Sequence, residues 1–191
     1  MESSDNASLA AEVARLRQLG SDDAVFEVKS AVQKLPKSVW VSISAFANTS
    51  GGTLILGLDE SEGFTPASGF QPGRIIDQLT AGLREGHGAR ISPVPPYEIR
   101  TETIAGSPVV LVDIFPLRPL PNVQLPCYVV SQGIKHGSYK RVHDQDQRLS
   151  PYEIHILENL KQPTEIDIQA VPGTTIDDLA TDRAVAVLDA L

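Results

Sequence analysis

Residues 38–59, SVWVSISAFANTSGGTLILGLD, constrain the fold of this chain more than any other stretch. Gly51 and Gly52 divide it, and glycine tolerates the backbone angles that turn a chain sharply out of a helix. After them, the near-continuous apolar run 53–58 predicts a strand covered on both faces, in which Gly57 marks a close approach to the backbone. Before them, apolar residues recur at the three-and-four spacing of one helix face: Val39, Trp40, Ile43, Phe46 and Ala47.

Shorter periodic segments on either side predict the remaining elements. The three-and-four spacing predicts helices at 8–19, 74–85 and from Pro151, with Ser8 as the N-cap of the first. Alternating or apolar runs predict strands at 24–30, 97–103, 109–115, 128–130 and 138–142. The polar segment 132–137 is predicted to be a connection. Together these elements predict an α+β fold, a mixed sheet flanked by helices.

Composition and charge exclude several classes of protein. The chain has 191 residues, 41% of them hydrophobic, and no apolar run approaches the roughly 18 residues that a membrane span requires. Cys127 is the single cysteine, which excludes an internal disulfide and a cysteine-rich zinc cluster. A polar, acidic N-terminus lacks the pattern of a secretory signal, so we expect a cytoplasmic protein. No P-loop, nucleophile elbow, zinc-protease or dinucleotide motif is present.

The charge is unevenly distributed along the chain. The net charge is −8, from 16 basic and 24 acidic residues, so the protein is not coated with phosphate-binding charge. Acidic residues predominate in 163–191, which ends on the apolar sequence AVAVLDAL. We therefore expect one domain at 1–162, followed by an acidic linker and the start of a truncated C-terminal region at 163–191.

The segment AFANTSGGTLILGLDE, preceded by FEVKS and followed by GSYKRV, resembles the AlbA_2 or Schlafen-type domain. This resemblance covers roughly 22–160. It implies a nucleic-acid-binding module, as in bacterial DNA-binding or transcriptional regulators and defence proteins. The alternative that it implies is a divalent-metal-dependent endoribonuclease of the Schlafen type. A protein-interaction module, in which the acidic surface matters more, is the second alternative.

Three acidic residues, Asp22, Glu27 and Asp59, are the candidate catalytic and metal-binding set. The predicted strands 24–30 and 53–58 both end near the glycine turn, so their acids converge if the strands pair. Clustered carboxylates suit Mg²⁺ or Mn²⁺, which prefer hard oxygen ligands. The resemblance implies the same three positions as ligands in the nuclease, although Asp22 departs from the usual Glu. The structural alternative is that these acids cap turns and strand ends.

The basic residues are the candidate nucleic-acid-binding set. A groove of Lys and Arg can follow a phosphate backbone, and an aromatic neighbour can stack on exposed bases. Without its acidic tail the domain is nearly neutral, so a single copy offers little positive charge for holding a duplex. We therefore expect a homodimer. An ordinary charged surface is the alternative interpretation. The residues are Lys29, Lys34, Lys37, Lys135, Tyr139, Lys140 and Arg141.

Overall fold

The computed structural model describes residues 2–120 and 123–160. The predicted linker and truncated region at 163–191 lie outside the described residues. The helices are α1 (Glu2–Leu19), α2 (Ser38–Ala47), α3 (Pro72–Gly82), α4 (Ile134–Gly137) and α5 (Pro151–Glu158). The strands are β1 (Phe26–Lys29), β2 (Gly52–Leu56), β3 (Leu58–Asp59), β4 (Thr65–Pro66), β5 (Ile91–Ser92), β6 (Tyr97–Ile104), β7 (Ser107–Ile114), β8 (Tyr128–Val129), β9 (Tyr139–Val142) and β10 (Gln145–Arg148).

The central sheet is mixed and has the strand order β1-β2-β7-β6. Strands β1 and β2 are parallel and are joined through α2, with Phe26 opposite Thr53 and Lys29 opposite Leu56. Strand β7 is antiparallel to both of its neighbours, β2 and β6. Strands β9 and β10 form a separate antiparallel pair. The predicted α+β class, with a mixed sheet flanked by helices, is confirmed.

Side chains alternate between the two faces of the sheet, so each face has its own core. On β2, Leu54 and Leu56 belong to the cluster that contains the α2 residues Ile43 and Phe46. Ile55, between them, belongs to the cluster that contains residues of α1. Helix α1 thus covers one face and α2 covers the other, and β2 is buried on both sides as its apolar run predicts.

The structure tests three local predictions, at Ser8, at residues 132–137 and at Gly57. Helix α1 already includes Ser8, so the prediction of an N-cap there is wrong. The predicted polar connection at 132–137 is also wrong, because a 3-10 turn at Val130–Gln132 and the short helix α4 occupy it. The close approach at Gly57 is confirmed, since the Phe70 ring lies where a Cβ would extend. Among the described helices, none is long and apolar enough to cross a membrane.

Candidate functional site

Arg141 of β9 is the centre of a buried group of charges. Its Nη2 lies 2.8 Å from Glu27 Oε2, its Nη1 lies 2.9 Å from Asp146 Oδ1, and its side chain is 2% exposed. It also donates to the carbonyl of Asp23 at 2.7 Å and lies over the ring of Phe46. Arg141 was predicted to bind phosphate. In the structure its guanidinium group instead binds groups inside the fold and connects β9 to β1.

Two further members complete this buried charge group, which we define as Asp22, Glu27, Lys29, Arg141 and Asp146. Lys29 pairs with Glu27 and lies 3.9 Å from Asp22 Oδ2, while Asp22 Oδ1 accepts the Val28 N–H at 3.1 Å. Burial, followed by the negative charge of Glu27, raises the pKa of Asp22 from 3.8 to about 7, against the hydrogen bond from Val28. Asp22 thus titrates near neutral pH. Glu27 and Lys29, which share one face of β1, therefore make their ionic contacts within the fold.

Asp59, the third predicted metal ligand, has partners of its own. Its Oδ1 accepts hydrogen bonds from Ser61, at 3.0 Å from the backbone nitrogen and at 2.6 Å from the hydroxyl. Within 2–120 and 123–160, no three His, Cys, Asp or Glu side chains are grouped so that they could hold a metal ion. The structure brings Asp22 and Glu27 together around Lys29. A metal site at Asp22, Glu27 and Asp59 remains a prediction.

The polar residues at the end of α2 hold distant strands in place. The Asn48 amide donates to the carbonyls of Cys127 and Tyr139, at 2.8 and 2.9 Å, and accepts the Cys127 N–H at 2.8 Å. Thr49 Oγ1 accepts the Arg141 N–H at 2.9 Å. These bonds satisfy backbone groups next to β8 and within β9, so Asn48 and Thr49 have structural partners. Cys127 is buried, and burial raises the pKa of its thiol.

The remaining predicted nucleic-acid ligands divide into two groups. Tyr139 is buried at 8% exposure and donates its hydroxyl to Gln132 Oε1 at 2.7 Å, so its ring is not available to an external base. Lys140 Nζ lies 2.5 Å from Glu153 Oε1. Three others are exposed and make no ion pair within the described residues: Lys34, Lys37 and Lys135.

Lys34 and Lys37 line a cleft with a volume of about 480 Å³. Arg90 lines the same cleft and, like them, is exposed and without an ion pair among the described residues. Trp40 is half-buried in its wall. None of the described residues that line it is acidic. We call this the basic cleft and define it by Lys34, Lys37, Trp40 and Arg90.

Backbone hydrogen bonds bring Arg90 to this position, 50 residues after Trp40. The Arg90 N–H donates to the carbonyl of Gly82 at 2.8 Å, and its carbonyl accepts the Val130 N–H at 2.9 Å. Gly82, the last residue of α3, leaves no room for a Cβ because the Trp40 ring lies directly against it. Sequence periodicity placed Trp40 in the core and did not single out Arg90. The local signal in the sequence was a tryptophan that closely follows two lysines, Lys34 and Lys37.

A second hollow, of about 570 Å³, lies beside the glycine turn and is lined by Gly51, Phe115 and Arg141, among others. Its lining contains Arg141 as the only described basic residue, and that guanidinium is already paired with Glu27 and Asp146. The basic cleft is therefore the better candidate for binding an anion.

Residues 22–150 match the family Schlafen, AlbA_2. The chain belongs to this family. Both the buried charge group and the basic cleft lie within the residues that match the Schlafen AlbA_2 family. The predicted resemblance is therefore confirmed.

Among curated protein sequences, none matches the chain significantly. Two solved structures are similar at low identity. The N-terminal domain of a RecG-related protein from Nitrosomonas europaea is 23% identical, with a TM-score of 0.49, over 73% of this chain and 92% of that one. The DIP2311 protein from Corynebacterium diphtheriae is 15% identical, with a TM-score of 0.46, over 73% of this chain and 24% of that one.

Proposed function

We propose that this Schlafen AlbA_2 domain is a nucleic-acid-binding module and that the basic cleft contacts the phosphates. The observation that carries the proposal is that Lys34, Lys37 and Arg90 converge on one cleft without a carboxylate partner among the described residues. A cation without an intramolecular partner can release a counterion and pair with a phosphate at little cost. Helix α2 also has no acidic residue in its first turn, beside Lys37.

Five other cations of the domain are less available to a phosphate. Each of these five is paired with a carboxylate, and a phosphate would have to displace that carboxylate or share the cation with it. The remaining exposed cations, such as Arg74, Lys135 and Arg148, do not line the basic cleft. With a net charge of −8, the chain has little positive potential to attract nucleic acid elsewhere. Because the basic cleft gathers three unpaired cations in one place, binding should depend mainly on it. The paired residues are Arg15, Lys29, Arg100, Lys140 and Arg141.

The number of cations predicts the salt dependence of binding. Three phosphate contacts to a single strand give a slope of about −2 in log K against log salt, since each contributes about −0.7. Affinity should thus fall roughly 20-fold between about 50 and about 200 mM salt. Removing both lysines should reduce the steepness by about 1.4, leaving a slope near −0.7.

The test is fluorescence anisotropy of labelled single-stranded and duplex DNA and RNA, at several salt concentrations. The test variant is Lys34→Ala with Lys37→Ala. The control is Arg74→Ala with Arg148→Ala, which removes two exposed charges outside the basic cleft. Equal slopes for the two variants, or no binding by the wild type at low salt, would contradict the proposal. Parallel samples with Mn²⁺ or chelator score cleavage, which distinguishes the metal-dependent nuclease.

A further inference from the structure

We propose that the basic cleft is a nucleotide pocket, in which one unpaired base stacks on Trp40 while the phosphates next to it in the strand contact the three cations. This inference rests on the proposed function and names the chemical unit that is recognised. It follows from the combination of an aromatic ring and unpaired cations in one hollow. Lysines alone would indicate phosphate contacts without a place for a base.

The shape of the cleft favours a nucleotide over a flat stretch of backbone. Its volume of about 480 Å³ falls within the range of about 300–1,000 Å³ that is typical of small-ligand sites. A base inside a duplex is stacked and paired, so it cannot enter a hollow of this kind. An unpaired base exposes its ring face and can stack on an aromatic side chain.

The lining has the chemistry that a nucleotide requires. The Trp40 ring is held against Gly82, so stacking on it requires little reordering. Its indole N–H makes no hydrogen bond with the described residues and is not among their buried unpaired groups, so it is available to a polar group of the ligand. Apolar residues complete the wall beside the ring, and the cations supply the complementary charge for phosphate. The apolar residues are Leu35, Ala81 and Val129.

The same chemistry has two sources, which are a free nucleotide and an unpaired nucleotide within a strand. Trp40 is the single tryptophan of the chain, so intrinsic tryptophan fluorescence reports on this pocket without a label. The probes are adenosine monophosphate, inorganic phosphate, a single strand of about ten nucleotides and a blunt duplex of the same sequence. Stacking of a base on the indole should quench its emission.

The expected result is quenching by the single strand, with little change on adding phosphate or duplex. Additional quenching by adenosine monophosphate would show that a free nucleotide suffices, whereas quenching by the strand alone would assign the ligand to nucleic acid. Equal responses to phosphate or to duplex would overturn the pocket. Strand binding seen by anisotropy without quenching would overturn this inference and leave the proposed function standing. No binding at low salt would overturn both.

A pair of variants separates stacking from simple folding effects. Trp40→Leu should weaken single-strand binding by a factor on the order of 10, because a stacked base is lost. Its salt slope should stay that of the wild type, since no phosphate contact is removed. Trp40→Phe should recover much of the affinity because a ring is restored. Circular dichroism verifies that both variants fold, and an unchanged affinity in folded Trp40→Leu would refute the pocket.

Discussion

Replacing Arg141 by methionine tests whether the buried charge group stabilises the fold. The guanidinium is 2% exposed and pairs with two carboxylates, Glu27 and Asp146. Among the described residues, its removal leaves Glu27 with Lys29 as its ionic partner and Asp146 with the hydroxyl of Ser42, 2.7 Å away. Breaking a buried ion pair from one side costs about 3–5 kcal/mol, and these remaining partners place the expected loss near the lower end.

Urea unfolding measures this loss. A decrease of about 3 kcal/mol in the free energy of unfolding lowers the midpoint by about 1.5 M when the denaturant slope is about 2 kcal/mol per molar. The neighbouring Lys140→Met is the control, since Lys140 and Glu153 are 32% and 34% exposed. Such a surface pair contributes about 1 kcal/mol at most. If Arg141→Met shifts the midpoint no more than Lys140→Met does, the structural role assigned to Arg141 is wrong.

Two further predictions concern the pH dependence of stability and the glycine turn. Because the pKa of Asp22 is raised from 3.8 to about 7 on folding, its contribution to stability is present below pH 3.8 and is lost as the pH rises towards 7. In urea unfolding at several pH values, Asp22→Asn should flatten this decline in the free energy of unfolding, and an unchanged pH dependence would contradict the raised pKa of Asp22. At the glycine turn, Gly51→Ala should lower the free energy of unfolding by about 1–3 kcal/mol more than Gly86→Ala does. Both glycines have positive φ, +81° and +91°, but only at Gly51 would a Cβ lie 2.6 Å from the carbonyl oxygen of Ile114. Equal midpoints in thermal unfolding would show that the turn relaxes.

The centre of the fold was predictable because its signals are contiguous in sequence. The helix, turn and strand of residues 38–59 each follow a local pattern, and α2 and β2 occupy the expected places. Gly57 was singled out by its position inside an apolar run, and the Phe70 ring accounts for it. Local periodicity therefore predicted the elements around which the sheet is built.

The roles of the polar residues depended on contacts that periodicity does not carry. Strand β9, YKRV, alternates in burial, but its letters do not show which set of side chains faces inward. Tyr139 and Arg141 face inward because Gln132, Glu27 and Asp146 satisfy them there. Arg90 likewise reaches the basic cleft through long-range backbone bonds. Charge type alone could not separate the paired cations from the unpaired ones.

The contact between β1 and β9 determines the order in which the domain can be completed during synthesis. Arg141 donates to the carbonyl of Asp23, 118 residues earlier in the chain. A nascent chain leaves the ribosome from its N-terminus. Glu27 therefore cannot pair with Arg141 until nearly the whole domain has been translated. Because contacts of such sequence separation form slowly, β1 is consolidated late in folding although it is made early. The first strand thus reaches its final arrangement only after β9, near the end of the domain, has been translated.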